Sequence, residues 1–201
     1  EYKGGRKETP DDLKVQFPVA KKILNAIGIK YLECVGYEAD DIIGTISLWC
    51  DKDPEYEALI VSSDKDLLQL ISDETKVKLL KTKDHIMMDK NTFIETYGFE
   101  PIKMIDLKSL MGDASDNIPG VPGIGEKTAT AILQQFENVE NAHAHLDEIK
   151  PKRAKENLEA HYDMAIMSKK LATIEINAPY EYDWESARTG NVFTKEAYEL
   201  C

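Results

Sequence analysis

No run of apolar residues in this 201-residue chain approaches the roughly 20 that a membrane-crossing helix needs. The longest apolar stretches, such as Ala58 to Val61, are short and interrupted. Cysteine is scarce as well. Cys34, Cys50 and Cys201 are scattered, with no CxxC or other ligand spacing, which excludes a disulfide framework and a thiolate metal site. Thiols used so sparingly predict a reducing, cytoplasmic setting. Residues 1–9 are polar and charged, so no signal peptide is visible there, and the chain has neither a long-period repeat nor a low-complexity tract. Positive charge is also in short supply: 25 Lys and Arg stand against 37 Asp and Glu, a net charge of −12. Such a balance argues against nucleic-acid binding by overall charge. Any nucleic-acid partner must be met through a local basic or amide-rich surface.

What is present is enough to fold. Hydrophobic residues make up 42% of the chain, which places it with globular proteins of about one domain. Thr9-Pro10-Asp11-Asp12 predicts a helix start, with Thr9 as cap, and Phe17, Ala20, Ile23, Leu24 and Ile27 continue it at helical spacing until Gly28. Ile29 to Val35 reads as a short strand, and the segment from Glu38 as a helix with Ile42, Ile43, Ile46 and Trp49 on one face. Residues 57–63 have the continuous apolar centre of a strand in a parallel sheet. A short helix and a strand at Val77 to Thr82 follow, then HIMMDKN as a turn, and from there the pattern is helical to about Thr173. The order predicts a mostly parallel central sheet flanked by helices, with a helical C-terminal portion. The expected boundaries are an α/β core over 1–100, a helical portion over 101–176 and a tail over 177–201.

Three acidic groups follow apolar elements. They are Glu38, Asp40 and Asp41 in GYEADD, Asp64 and Asp66 in VSSDKD, and Asp113 and Asp116 in GDASDN. The carboxyl ends of strands are where ligands gather in α/β sheets. Seven converging carboxylates would repel one another unless a cation neutralised them, and oxygen ligands without His or Cys select a hard ion, Mg²⁺ or Mn²⁺. Two such ions are the usual device for hydrolysing a phosphodiester. Taken singly, each group also reads as ordinary helix-start or turn acids.

Residues 118–128, IPGVPGIGEKT, form a Gly/Pro turn that feeds a helix. Exposed amides at such a turn, with the helix dipole behind them and Lys127 and Thr128 beside them, suit a phosphate. The G-x-x-G-x-G-x-K spacing of Gly120, Gly123, Gly125 and Lys127 matches a helix–hairpin–helix, which holds DNA backbone without reading sequence. No strand leads into it and GKS/GKT is absent, so it is not a nucleotide P-loop.

Together, GYEADD, VSSDKDLLQL and LMGDASDNIPGVPGIGEKTA resemble the 5′–3′ exonuclease domains of bacterial DNA polymerase I, within the flap endonuclease family. The resemblance implies a PIN/flap-endonuclease-like fold and a structure-selective 5′ nuclease acting on DNA 5′ ends or flaps in replication and repair. It implies two Mg²⁺ ions, the first nearer Glu38, Asp40 and Asp41, the second nearer Asp64, Asp66, Asp113 and Asp116. It implies that Lys3 and Arg6, in YKGGRK, meet the scissile phosphate at the base of a helical arch. A K⁺ ion at the hairpin and a covalently linked polymerase region are further implications. The family's earliest metal-binding Asp residues and first strand have no counterpart here, so feeble cleavage by the chain alone is expected. A non-catalytic duplex-binding module is the competing reading, and an RNA-directed nuclease is a third, disfavoured by the hairpin.

Overall fold

The computed structural model describes residues 4, 8–190 and 194–200. The N-terminal helix forms as two pieces, α1 (Asp11–Lys14) and α2 (Gln16–Ala26), interrupted at Val15. Pro18 explains the break, since it has no N–H to donate to the Lys14 carbonyl one turn back. Pro10, and not Thr9, stands at the helix start, its carbonyl accepting from Leu13 and Lys14. Gly28 ends α2 at φ +70°, and the amides of Gly28 and Ile29 close back onto Asn25 and Leu24. This is a Schellman turn, which demands a left-handed residue at that point.

The strand expected at Ile29 to Val35 is not formed; that segment is irregular and Val35 is fully exposed. Apolar character alone cannot make a strand whose amides and carbonyls find no neighbour, and no described strand adjoins this segment. Helix α3 (Ala39–Lys52) begins where expected, with the Asp41 side chain accepting from the Glu38 amide at 3.0 Å.

The sheet has three strands in the order β1 (Ala58–Ser62), β2 (Thr75–Leu80), β3 (His85–Met88). β1 and β2 are parallel, with Ile60 opposite Val77, while β2 and β3 are antiparallel, with Val77 opposite Met88. HIMM is thus a strand and not the expected turn. The chain reverses at residues 81–84, where Lys81 N–H donates to the Asp84 carbonyl, and His85-Ile86-Met87-Met88 then alternates outward and inward.

Asp89 caps α4 (Lys90–Tyr97) by accepting from Thr92 N–H at 2.8 Å. The rest is helical: α5 (Met104–Met111), α6 (Glu126–Phe136), α7 (Val139–Ala144), α8 (Lys152–Ala160), α9 (Tyr162–Ala172) and, near the end, α10 (Lys195–Leu200). One continuous cluster of buried side chains, from Ile60, Leu68 and Val77 through Phe93 and Leu110 to Leu133 and Leu158, joins the sheet to helices α4 to α9. Buried Asp106 on α5 pins two of them, accepting from Val139 N–H at 3.0 Å and pairing with Lys169 at 2.7 Å.

The segment after α9 returns to the acidic elements. The buried Gln69 amide donates to the Ala172 carbonyl and accepts from Ile174 N–H. Asp41 accepts from Glu175 N–H, and Thr45 from Ala178 N–H. Residues 172–178 therefore hold the start of α3 against the turn that follows β1.

Candidate functional site

Each acidic group is set by its own local structure. Beyond β1, the Ser62 hydroxyl accepts from Asp64 N–H and the Asp64 carboxylate accepts from Asp66 N–H, opening a short 3-10 helix over residues 65–70. Beyond α5, Gly112 turns the chain at φ +73°, and Asp113 and Ile118 exchange backbone hydrogen bonds at 2.9 and 2.8 Å. The loop between them carries Asp113, whose carboxylate accepts from the Ser115 amide and hydroxyl, and Asp116.

The structure brings these three groups onto one face. Glu38, Asp40, Asp64 and Asp116 line a cavity of about 370 Å³. Glu38 and Asp40 are shared with a smaller one of about 200 Å³, lined also by Asp41, Asp66 and Lys170. Asp113 lines a third, of about 390 Å³, with Lys65, Lys108, Tyr97 and Met104. Among the described residues no three His, Cys, Asp or Glu side chains stand close enough to enclose a metal ion. The acids are gathered but not closed around a point.

Lys108 accounts for part of that openness. Its ammonium lies between Asp66 and Asp113 and pairs with both, all three side chains less than 20% exposed. Burial lowers the Lys108 pKa, but its two carboxylate partners outweigh that and hold it above the ordinary value. Burial raises Asp113, yet hydrogen bonds from Lys108 and Ser115 bring it down to about 2. At Asp66 the balance reverses: burial raises the carboxyl above its ordinary value despite Lys108. Its buried Oδ1 meets Lys108 alone. An oxygen-only donor set with carboxylates buried this deeply fits a hard cation, and Lys108 brings one positive charge to two of those carboxylates.

Sequence reasoning missed Lys108, Lys170 and Lys65. The signal for Lys108 was there: it is the one cation on α5, the helix that leads directly into GDASDN. Asp41 was expected as a ligand, and the structure gives it a further task, one oxygen on Glu38 N–H and the other on Glu175 N–H. Lys3 and Arg6 lie outside the described residues.

The hairpin divides its glycines between two duties. Gly120 is buried at φ +61°, its amide donating to the Ser168 hydroxyl; a methyl group there would stand 2.2 Å from the Gly112 nitrogen. It is the crossing point of two loops, whereas the other two glycines are exposed. Gly123 turns at φ +78° at the exposed tip. Gly125 is the residue before α6, in an extended conformation, exposed and with open space where a side chain would project. Lys127 is exposed and Thr128 half-buried in the first turn of α6; the Thr128 amide donates to the Gly125 carbonyl at 3.0 Å, while the amides of Glu126 and Lys127 have no carbonyl one turn back to meet.

The family described as "5′–3′ exonuclease, N-terminal resolvase-like domain" matches residues 1–98, and that described as "5′–3′ exonuclease, C-terminal SAM fold" matches residues 99–195. The chain is similar to DNA polymerase I of Bacillus caldotenax, 48% identical over 183 residues, which cover 90% of this chain and 21% of that protein. It thus spans about a fifth of the length of the curated relatives it matches. Its fold is similar to the bacteriophage T5 D15 protein co-crystallised with metal ions, with a TM-score of 0.72 at 21% identity, covering all of this chain and 76% of that one. The T5 D15 flap endonuclease in a pseudo-enzyme–product complex with DNA and metal ions gives a TM-score of 0.70 at 22% identity, covering all of this chain and 75% of that one. These likenesses bear out the flap-endonuclease-like α/β fold with a helical C-terminal portion.

Proposed function

The chain belongs to the 5′–3′ exonuclease family, and from that premise we propose that it is the divalent-metal-dependent part of a DNA polymerase I that hydrolyses phosphodiesters at DNA 5′ ends and flaps. The observation that carries this reading is the meeting of six carboxylates, from three separate segments, on two cavities that share Glu38 and Asp40, with Asp113 joined to Asp66 through Lys108. Bringing so many like charges together destabilises the fold unless a ligand uses them.

Glu38, Asp40 and Asp41 would hold one Mg²⁺, and Asp64, Asp66, Asp113 and Asp116 a second, with Mn²⁺ as substitute. Such ions, when bound, activate water and stabilise the leaving oxygen. The chain's own residues do the rest. Lys170 and Lys65, on cavities beside the acids, supply the local positive charge that the net charge of −12 withholds from a phosphate. Lys3 and Arg6 would meet the scissile phosphate, as the family resemblance implies. Gly123, Gly125, Lys127 and Thr128 would grip duplex backbone at the hairpin, where K⁺ would also bind. The sheet portion over 1–100 then bears most of the acids, and the helical portion over 101–176 the hairpin.

The test uses two readouts on one preparation: Mn²⁺ binding by electron paramagnetic resonance, and release of labelled fragments from 5′-flap DNA with Mg²⁺ or chelator. Bound Mn²⁺ that is reduced in Asp113→Asn and Asp116→Asn by loss of the second ion, with duplex binding intact and any cleavage abolished by chelator, is the expected result. Duplex binding without Mn²⁺ binding or cleavage would instead make the chain a non-catalytic binding module.

A further inference from the structure

The hairpin tip is braced from outside by α8. The Asn157 side-chain amide donates to the Pro122 carbonyl at 2.7 Å, tying the turn to the helix. A methyl group placed on Gly123 would stand 2.9 Å from that amide nitrogen, and 3.7 and 3.8 Å from Nε and Nη2 of Arg153. The Arg153 guanidinium therefore lies beside the tip, one helical turn from the residue that fixes it.

Arg153 is also exposed and meets no carboxylate among the described residues. Its neighbours on α8 are otherwise engaged, Lys152 with Glu156 and Lys155 with Asp147. In a chain of net charge −12 an unpaired, permanently charged, fork-shaped cation beside an amide-rich turn is well suited to one ligand class. A guanidinium presents two parallel N–H groups to a phosphate, whereas the backbone amides of the turn present one each.

We propose that Arg153 is a side-chain phosphate contact of the hairpin, so that the amides of Gly123 and of residues 125–127 and the guanidinium of α8 hold one stretch of DNA backbone together, with Asn157 as the positioning residue. This rests on the reading of the hairpin as the duplex-holding element.

The experiment measures binding of the chain to duplex DNA across a range of salt concentrations, without divalent metal, for wild type, Arg153→Gln, Arg153→Lys, Asn157→Ala and Gly125→Ala. Arg153→Gln is expected to bind about 10-fold more weakly at 0.1 M salt, and to lower the slope of log K against log salt by about one. Arg153→Lys keeps the slope but binds less tightly than wild type, because the point charge lacks the fork. Asn157→Ala weakens binding with an unchanged slope, since no charge is removed. If Arg153→Gln matches wild type in affinity and slope while Gly125→Ala binds poorly, Arg153 is not a contact and the hairpin reading stands. If wild type fails to bind duplex DNA at any salt, the hairpin reading falls and this inference falls with it.

Discussion

Replacing Lys108 by Met should change how strongly the fold depends on divalent ions. The Lys108, Asp66 and Asp113 side chains are 13%, 14% and 18% exposed, so their interactions are poorly screened by solvent. Methionine keeps the length and apolar stem of the lysine but removes the one charge held between two carboxylates. Breaking a buried ion pair in this way costs about 3 kcal/mol, because the remaining charges are left uncompensated. For a chain of this size about 3 kcal/mol is roughly 6–12 °C in melting temperature. That loss is expected in chelator. Saturating Mg²⁺ should reverse most of it, because an ion bound only by the native state stabilises that state, and in the variant it has no ammonium to displace. The Mg²⁺-induced rise in melting temperature is therefore larger in Lys108→Met than in wild type. Calorimetric scans of both proteins, with chelator and with Mg²⁺, check this. An equal loss under both conditions would refute the reasoning, making Lys108 a structural partner of Asp66 and Asp113 with no competition from a cation.

Gly125→Ala should leave the melting temperature within about 1 °C of wild type, since its conformation suits any residue and the space is open, yet lower duplex affinity 10-fold or more, the value of a lost amide–phosphate bond. Gly123→Ala should destabilise as well, at φ +78° with Asn157 in the way; a stable Gly123→Ala protein in thermal melts contradicts the described turn. Asp106→Ala should destabilise by about 3 kcal/mol in denaturant titration, leaving Lys169 without its buried partner and Val139 N–H unsatisfied. Asp113, lowered from 3.8 to about 2, contributes about 2 kcal/mol of stability. A depressed carboxyl contributes fully above its unfolded value and loses that contribution as pH falls through its folded one, so the loss runs from about pH 4 to pH 2. Asp66 is shifted the other way and opposes part of it. Asp113→Asn should flatten the dependence of melting temperature on pH in that window, and an unchanged dependence would contradict the Lys108–Asp113 pair.

The helices and the acidic groups were legible because their signals are local. Spacing along a helix and acids placed after apolar runs depend on a few neighbouring residues, and α3, α5, α6 and β1 lie close to where the pattern put them. The errors share a cause, which is that strands are made by partners. Ile29 to Val35 has the apolar character of a strand and no neighbour to pair with, whereas HIMM has weaker character but meets β2 through the reversal at residues 81–84. Pro18 was visible in the sequence, but one missing amide shortens a helix only where the carbonyl it would have met has no substitute.

At the site the same division separates residue type from residue duty. Seven acids could be picked out by their positions, yet the sequence cannot show that Asp41 ties residues 172–178 to the start of α3 through Glu175 N–H, because its partner lies 134 residues away. Nor could it distinguish the hairpin glycines. Gly120, Gly123 and Gly125 share one motif, but Gly120 is required by the backbone of Gly112 and Gly123 by its own left-handed turn, whereas nothing among the described residues crowds Gly125. A glycine at φ −96° with open space before it is not explained by packing or by backbone conformation. Under the proposed reading its lack of a side chain lets the DNA backbone approach from outside, which makes Gly125 the position in the hairpin where a substitution reports on the ligand and not on the fold.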